Sequence, residues 1–235
     1  MGVMQILECS MFGLRAARHQ FTHPNSSMSV TLFPMVHIGE TAFYENTFND
    51  ALSHDVVLTE GVRSPVVRHL TSSYRWINVS KLGLIVQPRL PPPKADGARV
   101  IHADLSAEEF HIEWRKVPRL LRLAAFIIAP VMGLHRRLFA TRKSLAHKME
   151  MDDLQSSEEA LSWDPTIAAF KNSILGARDA RLILRLGEEL DRSTHNDEPS
   201  VAVIYGAAHM RAVLTELLRR GFRPIKGSWQ TIFAF

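Results

Sequence analysis

The chain predicts an α/β fold: a mixed, mainly parallel central sheet flanked by helices and carrying a helical insert. Three observations lead there. Two runs of β-formers, 32–37 and 201–209, each end on a histidine just before a helical pattern, at His37 and His209. A third run, 55–60, ends on Glu60 and follows the first after a helix-length interval, so 28–60 reads as a strand–helix–strand unit with a parallel pair. A long apolar and basic helical pattern over 106–150, within an insert of about 106–165, then interrupts the alternation before the last strands.

The elements follow in order. Strands are expected at 4–11 and 28–36, joined by a polar region containing Pro24 and Asn25. A helix fills 41–53, and residues 65–84 are helical with an interruption at 76–80. Pro88 and Pro91 to Pro93 mark an extended connector before a short strand at 99–104. Ser106 with Glu108 and Glu109 opens a helical region that runs to 150 and is kinked at Pro118 and Pro130. Residues 151–164 are acidic, a loop or weak helix, and a strong helix covers 166–190. A polar linker at 191–199 leads to the strand 200–205 and the amphipathic helix 210–220, closed by Gly221 as its C′ residue. Strands at 223–225 and 229–235 finish the chain.

At 235 residues the chain suits a single domain with an insert, and its 46% apolar and 22% charged content is that of a globular protein. The formal charge of +4 is unevenly placed. Nine Lys/Arg and no acid lie between Trp114 and Met149, and without them the rest of the chain is net negative. Cys9 stands alone, which excludes an internal disulfide and a cysteine-based zinc site. The N-terminal residues show neither a basic n-region nor a long apolar run, and no stretch reaches about 18 apolar residues. Residues 120–134 come nearest but contain Arg122 and Pro130. A cytoplasmic protein is expected.

The chemistry-bearing residues sit where open α/β sheets bind ligands, at the C-terminal ends of parallel strands. Gly206, Ala207 and Ala208 let the backbone turn tightly before presenting His209 at a helix start. His37 is placed alike, with Glu40 three residues on as an orienting carboxylate or a first-turn helix acid. Glu60 ends an apolar strand, where an unpaired acid is expensive to bury, and Arg63 is a candidate partner. Asp104 repeats that geometry. Arg178, beside Asp179 in an apolar helix, either reaches the site or lies on a solvated face.

In this order the landmarks resemble the TraB/PrgY and Tiki family, related to erythromycin esterase and ChaN-like proteins. The matching positions are His37 with Glu40, Glu60 with Arg63, the Arg178–Asp179 dipeptide, and Gly206 to His209, spanning roughly 28–225. The first motif departs from the family's Gly-x-x-His, because Pro34 stands at the glycine. The resemblance implies a metal-dependent hydrolase acting on a peptide or ester bond. His37, Glu60 and His209 would hold a divalent metal (manganese, cobalt or zinc) or activate water, and Arg178 would steady the oxyanion. Without metal, His37 would be the base and Glu60 its orienting group. The alternative is a non-catalytic member that binds or sequesters a peptide or small ligand; haem binding rests on the ChaN-like analogy alone.

The basic segment 115–143 alternates cations with apolar clusters. It reads as a core helix with basic ends, a lid over the site, or a helix on an anionic membrane surface. Nucleic acid is not expected as a partner, since no aromatic stacking platform accompanies the charge.

Overall fold

The computed structural model describes residues 4–152, 171, 175–192 and 199–235. Residues 153–164 of the acidic stretch, most of the first part of the helix expected at 166–190 and most of the linker 191–199 lie outside the described residues; the stretch expected as a loop or weak helix begins as a short strand, Met151–Asp152. An eight-stranded mixed sheet forms the centre. Its parallel half is β7 (Arg99–His102), β5 (Val56–Thr59), β9 (Ser200–Gly206) and β3 (Ser26–Met35), in that order. Antiparallel β2 (Gly13–His23), β1 (Gln5–Ser10) and β8 (Met151–Asp152) continue it. β10 (Arg223–Ala234) also pairs with β2. A separate two-stranded ribbon joins β4 (Ile38–Gly39) to β6 (Ile85–Val86).

The inner parallel strands β5 and β9 are buried on both faces, and their sequences are correspondingly apolar rather than alternating, whereas β7 is an exposed edge. Val56, Val57 and Leu58 of β5 and Val201 to Tyr205 of β9 are all buried. Their registers align the strand ends: Thr59 pairs with Ile204 and His102, and Met35 pairs with Gly206. Helix α1 (Thr41–Ala51) packs Phe43, Tyr44, Thr47, Phe48 and Ala51 inward, a helical spacing that makes one buried face. The Tyr44 hydroxyl donates to the Val36 carbonyl at 2.9 Å, fixing the chain where β3 ends.

Several expectations are corrected by the pairing. β3 and β5 are parallel but not adjacent, because β9 inserts between them. β2 occupies the region expected as a turn between two strands. Ala16 pairs with both Leu7 and Gln230, and His19 with both Leu32 and Gly227, so β10 covers one edge of β2 while β1 and β3 share the other. The two final strands are one, interrupted by register shifts between Pro224 and Lys226 and between Thr231 and Phe233. Pro34 lies beyond Leu32, the last β3 residue paired with β2, so its missing N–H removes no bond to that strand.

The insert comprises short α2 (Pro65–Leu70) and α3 (Ser72–Arg75), then α4 (Ala107–Lys116), α5 (Arg119–Phe139) and α6 (Arg142–His147). Ser106 and Glu109 close a reciprocal capping box on α4, as their spacing predicts. At Pro118 the chain breaks rather than kinks: α4 and α5 meet at 115°. At Pro130 α5 continues. A proline there deprives the Phe126 carbonyl, one turn back, of its helical donor. The His69 ring reaches that carbonyl through Nε2 at 3.0 Å and stacks on Phe126 with centroids 4.5 Å apart. Among the described residues two more α-helices follow, α7 (Ala177–Arg192) and α8 (Met210–Arg219), the latter ended by Gly221 at φ +87°.

Candidate functional site

The aligned ends of β3, β5, β7 and β9 bring together Asp104 and His209, two of the buried polar side chains among the described residues. α7 lays its first turn against them and brings Arg178 and Asp179 to residues more than seventy and thirty positions away, respectively. Asp104, two residues past β7, has no exposed side-chain surface. It accepts from Arg178 Nε at 3.0 Å and Nη2 at 2.7 Å, and from the amides of Gly61 at 3.0 Å and Leu105 at 2.8 Å. Burial alone would raise its pKa; the Arg178 bonds and charge and the two amides overcome that and hold it below the ordinary aspartate value. Burial likewise opposes the Arg178 cation, but Asp104 and Glu60 outweigh it and raise the guanidinium pKa.

Glu60 is brought to the strand ends, as its position predicts. Its Oε2 accepts from the Gly206 amide at 2.9 Å and lies 3.5 Å from Arg178 Nη2. Arg178, rather than the exposed Arg63, is therefore the cation beside it. Gly206 is required for this approach: a Cβ at that position would stand 3.1 Å from Glu60 Oε2 and 3.5 Å from His209 Cδ2. The glycine lets the strand end close on the carboxylate before the turn Ala207–His209 delivers the imidazole.

His209 is buried, and its Nδ1 lies 2.6 Å from Asp179 Oδ1. Its ring meets Tyr205 edge-on, with centroids 4.8 Å apart at 82°. Tyr205 is fully buried, and its hydroxyl has no hydrogen-bond partner among the described residues. Burial, with Asp104 next in effect, pushes its pKa up, so the phenol stays protonated. Arg178 also stands over the Tyr205 ring at 5.7 Å.

His37 sits at the rim, its surface exposed but set among surrounding protein. The loss of hydration there lowers its pKa, and Arg178 and Arg136 add to the effect; Glu60 and a bond with the Gln87 side chain oppose it. The ring packs on Tyr74 at 4.8 Å, and Arg136 of α5 stands over Tyr74 at 4.6 Å. The insert thus borders the site. Glu40 does not orient His37: it is the N-cap position of α1, and Oε1 accepts from Arg142 Nη1 at 2.7 Å, tying α6 to the core.

The expected metal shell is not assembled. Among the described residues no group of three or more His, Cys, Asp or Glu side chains is placed to hold a metal ion. Glu60 is turned to the Gly206 amide and Arg178, and His209 turns Nδ1 to Asp179. Sequence reasoning passes over Tyr205 and names Asp179 beside Arg178 without giving it a role. The Arg178–Asp179 dipeptide was the available signal, since two adjacent charges at the start of an apolar helix can both face a strand-end site. A cavity of about 200 Å³ lined by Arg18, Thr31, Asp50 and His54 lies elsewhere, beside α1 and β2. No family model, curated protein or solved structure matches the chain.

Proposed function

We propose that the chain hydrolyses a peptide or ester bond at the strand-end site, with His209 as general base and Asp179 as its orienting carboxylate. The observation that carries this reading is the 2.6 Å contact between Asp179 Oδ1 and His209 Nδ1. A carboxylate at Nδ1 places the proton there and leaves Nε2 with the lone pair that accepts a proton from water. Arg178, pinned by Asp104, supplies positive charge for a developing oxyanion. Glu60 positions the Gly206 turn that presents His209. His37, uncharged at pH 7 because its pKa is lowered, borders the substrate from the neighbouring strand end. The order of these residues along the chain, the basis of the TraB and Tiki resemblance, supports the same reading.

The test is a screen of chromogenic esters and short peptides with the full chain, with chelator and with added manganese, cobalt or zinc. Chelator-insensitive turnover is expected, reduced about 10²–10⁴-fold in Asp179→Asn and more in His209→Ala. Full activity in His209→Ala would sink the proposal, and an absolute need for added metal would return the site to metal chemistry. A binding protein is the second reading, favoured by the engagement of Glu60 and Asp104 with backbone amides and Arg178. A peptide that raises the unfolding midpoint without being cleaved would carry that reading instead.

A further inference from the structure

Helix α5 is built inside out. Its protein-facing side carries the small residues Ala129 and Gly133, both buried, and packs on α2 and α3. Leu121 packs on the cluster of Phe110 and Trp114 and Phe126 stacks on His69, but six other large apolar side chains point away. Leu120, Leu123, Ile127, Val131, Leu134 and Leu138 recur at spacings of three and four, the period of one helix face. All six are exposed, from 49% at Leu134 to 77% at Leu120. The stripe runs the length of the helix, about 27 Å at 1.5 Å per residue. Single exposed leucines need no explanation, but a continuous exposed stripe marks a surface that something covers.

The flanking charge selects what covers it. Arg119 and Arg137 are exposed at the two ends of the stripe, and Arg115, Lys143 and Lys148 are exposed nearby. No acid occurs between Trp114 and Met149. A second copy of the chain laid on this face would oppose cations to cations. An anionic bilayer surface supplies the missing negative charge and accepts the stripe between its headgroups. Among the described residues no single helix is long and apolar enough to cross a membrane; the bent pair α4 and α5 passes only when taken together. A helix lying in the interface fits these features: the apolar stripe is complete, the cations are at its margins, and Arg122 and Pro130 interrupt any spanning run.

We propose that α5 docks this protein onto anionic membrane surfaces, inserting the Leu120–Leu138 stripe at headgroup depth with Arg119 and Arg137 on lipid phosphates. The docked helix borders the strand-end site through Arg136, Tyr74 and His37. The proposal does not depend on the hydrolase reading, since it is tested by binding alone.

The experiment is flotation of the full chain with vesicles of phosphatidylcholine alone or of equal parts phosphatidylcholine and phosphatidylglycerol. Binding is expected to the anionic vesicles only, weakening as salt is raised. Ile127→Glu/Val131→Glu removes the stripe's centre, and Arg119→Gln/Arg137→Gln removes the charge while leaving the stripe intact. Each is expected to weaken binding by about tenfold or more while keeping the wild-type unfolding midpoint. Failure of the wild-type chain to float, or flotation of both variants equal to that of the wild type, would overturn the proposal. A dimer in sedimentation that dissociates in Ile127→Glu/Val131→Glu, without vesicle binding by the wild type, would assign the face to a second copy instead.

Discussion

The strand-end site and helix α5 break the inside–outside rule in opposite directions. At the strand ends, charged groups are buried and nearly all partnered: Asp104 with no exposed side-chain surface accepts from Arg178 and from two backbone amides, and Arg178 is pinned beside it. On α5, large apolar groups are exposed in a stripe while small residues face the protein. Neither arrangement is what folding alone favours. A buried ion pair is often no more stable than apolar residues of the same volume, and an exposed apolar stripe contributes little to the core. The comparison teaches that stability should respond strongly to changes at the first region and hardly at all at the second. The largest expected effect follows from the buried pair. Arg178→Leu leaves Asp104 charged and unpaired inside the protein, with an expected loss of about 3–5 kcal/mol. Urea unfolding measures it, and a loss under about 1 kcal/mol would mean that water reaches Asp104.

Much of this contrast was legible in the sequence, for reasons that differ by element. β5 and β9 are buried on both faces, so their continuous apolar runs could be read without partners, and Glu60 and His209 at their ends pointed to one edge. β2 was not legible. Arg15, Arg18, His19 and Gln20 break its alternation, because one long strand is shared by three others and its faces change environment along its length. The Asp179–His209 contact joins two helix beginnings thirty residues apart, with β9 between them, and no local period records it. Glu40 misled for the opposite reason. Its proximity to His37 in sequence suggested an orienting carboxylate, whereas its side chain reaches Arg142 on α6, 102 positions on.

The pH dependence sharpens the same comparison. Asp104 has a depressed pKa in the folded protein, so it binds a proton more readily when unfolded. Its contribution is therefore complete above the unfolded aspartate pKa and is lost as pH falls through the lower folded value. Asp104→Asn should flatten the acid limb of the stability curve relative to wild type. An unchanged acid limb would assign acid unfolding to other carboxylates, such as Glu216, whose pKa is held at about 2 by bonds from Arg219 and Arg220. A smaller effect is expected from Gly206→Ala. The new methyl must displace Glu60 Oε2 from 3.1 Å, and the expected loss is about 1–2 kcal/mol, within the range for overpacking. The variant also breaks the closure that presents His209, so any hydrolytic or ligand-binding activity should fall by more than the stability does. Full activity with reduced stability would reduce Gly206 to a packing residue.

The smallest effect is expected on α5, and its smallness is the informative result. Ile127→Glu/Val131→Glu places two carboxylates on a solvent-facing stripe surrounded by cations, where surface substitutions change stability by about 0.5 kcal/mol or less. Ala129→Leu, two residues from each on the same helix, forces a large side chain against the protein at a buried position and should cost about 1–3 kcal/mol. The two variants alter opposite faces of the same stretch of one helix, so helix length and position cancel between them. Thermal or urea unfolding of the pair reads the asymmetry directly. Equal losses would mean that the outer stripe is packed in solution, against this chain or another copy. A loss confined to Ala129→Leu leaves the large apolar face without a folding role and makes an external partner the physical reason for keeping it apolar.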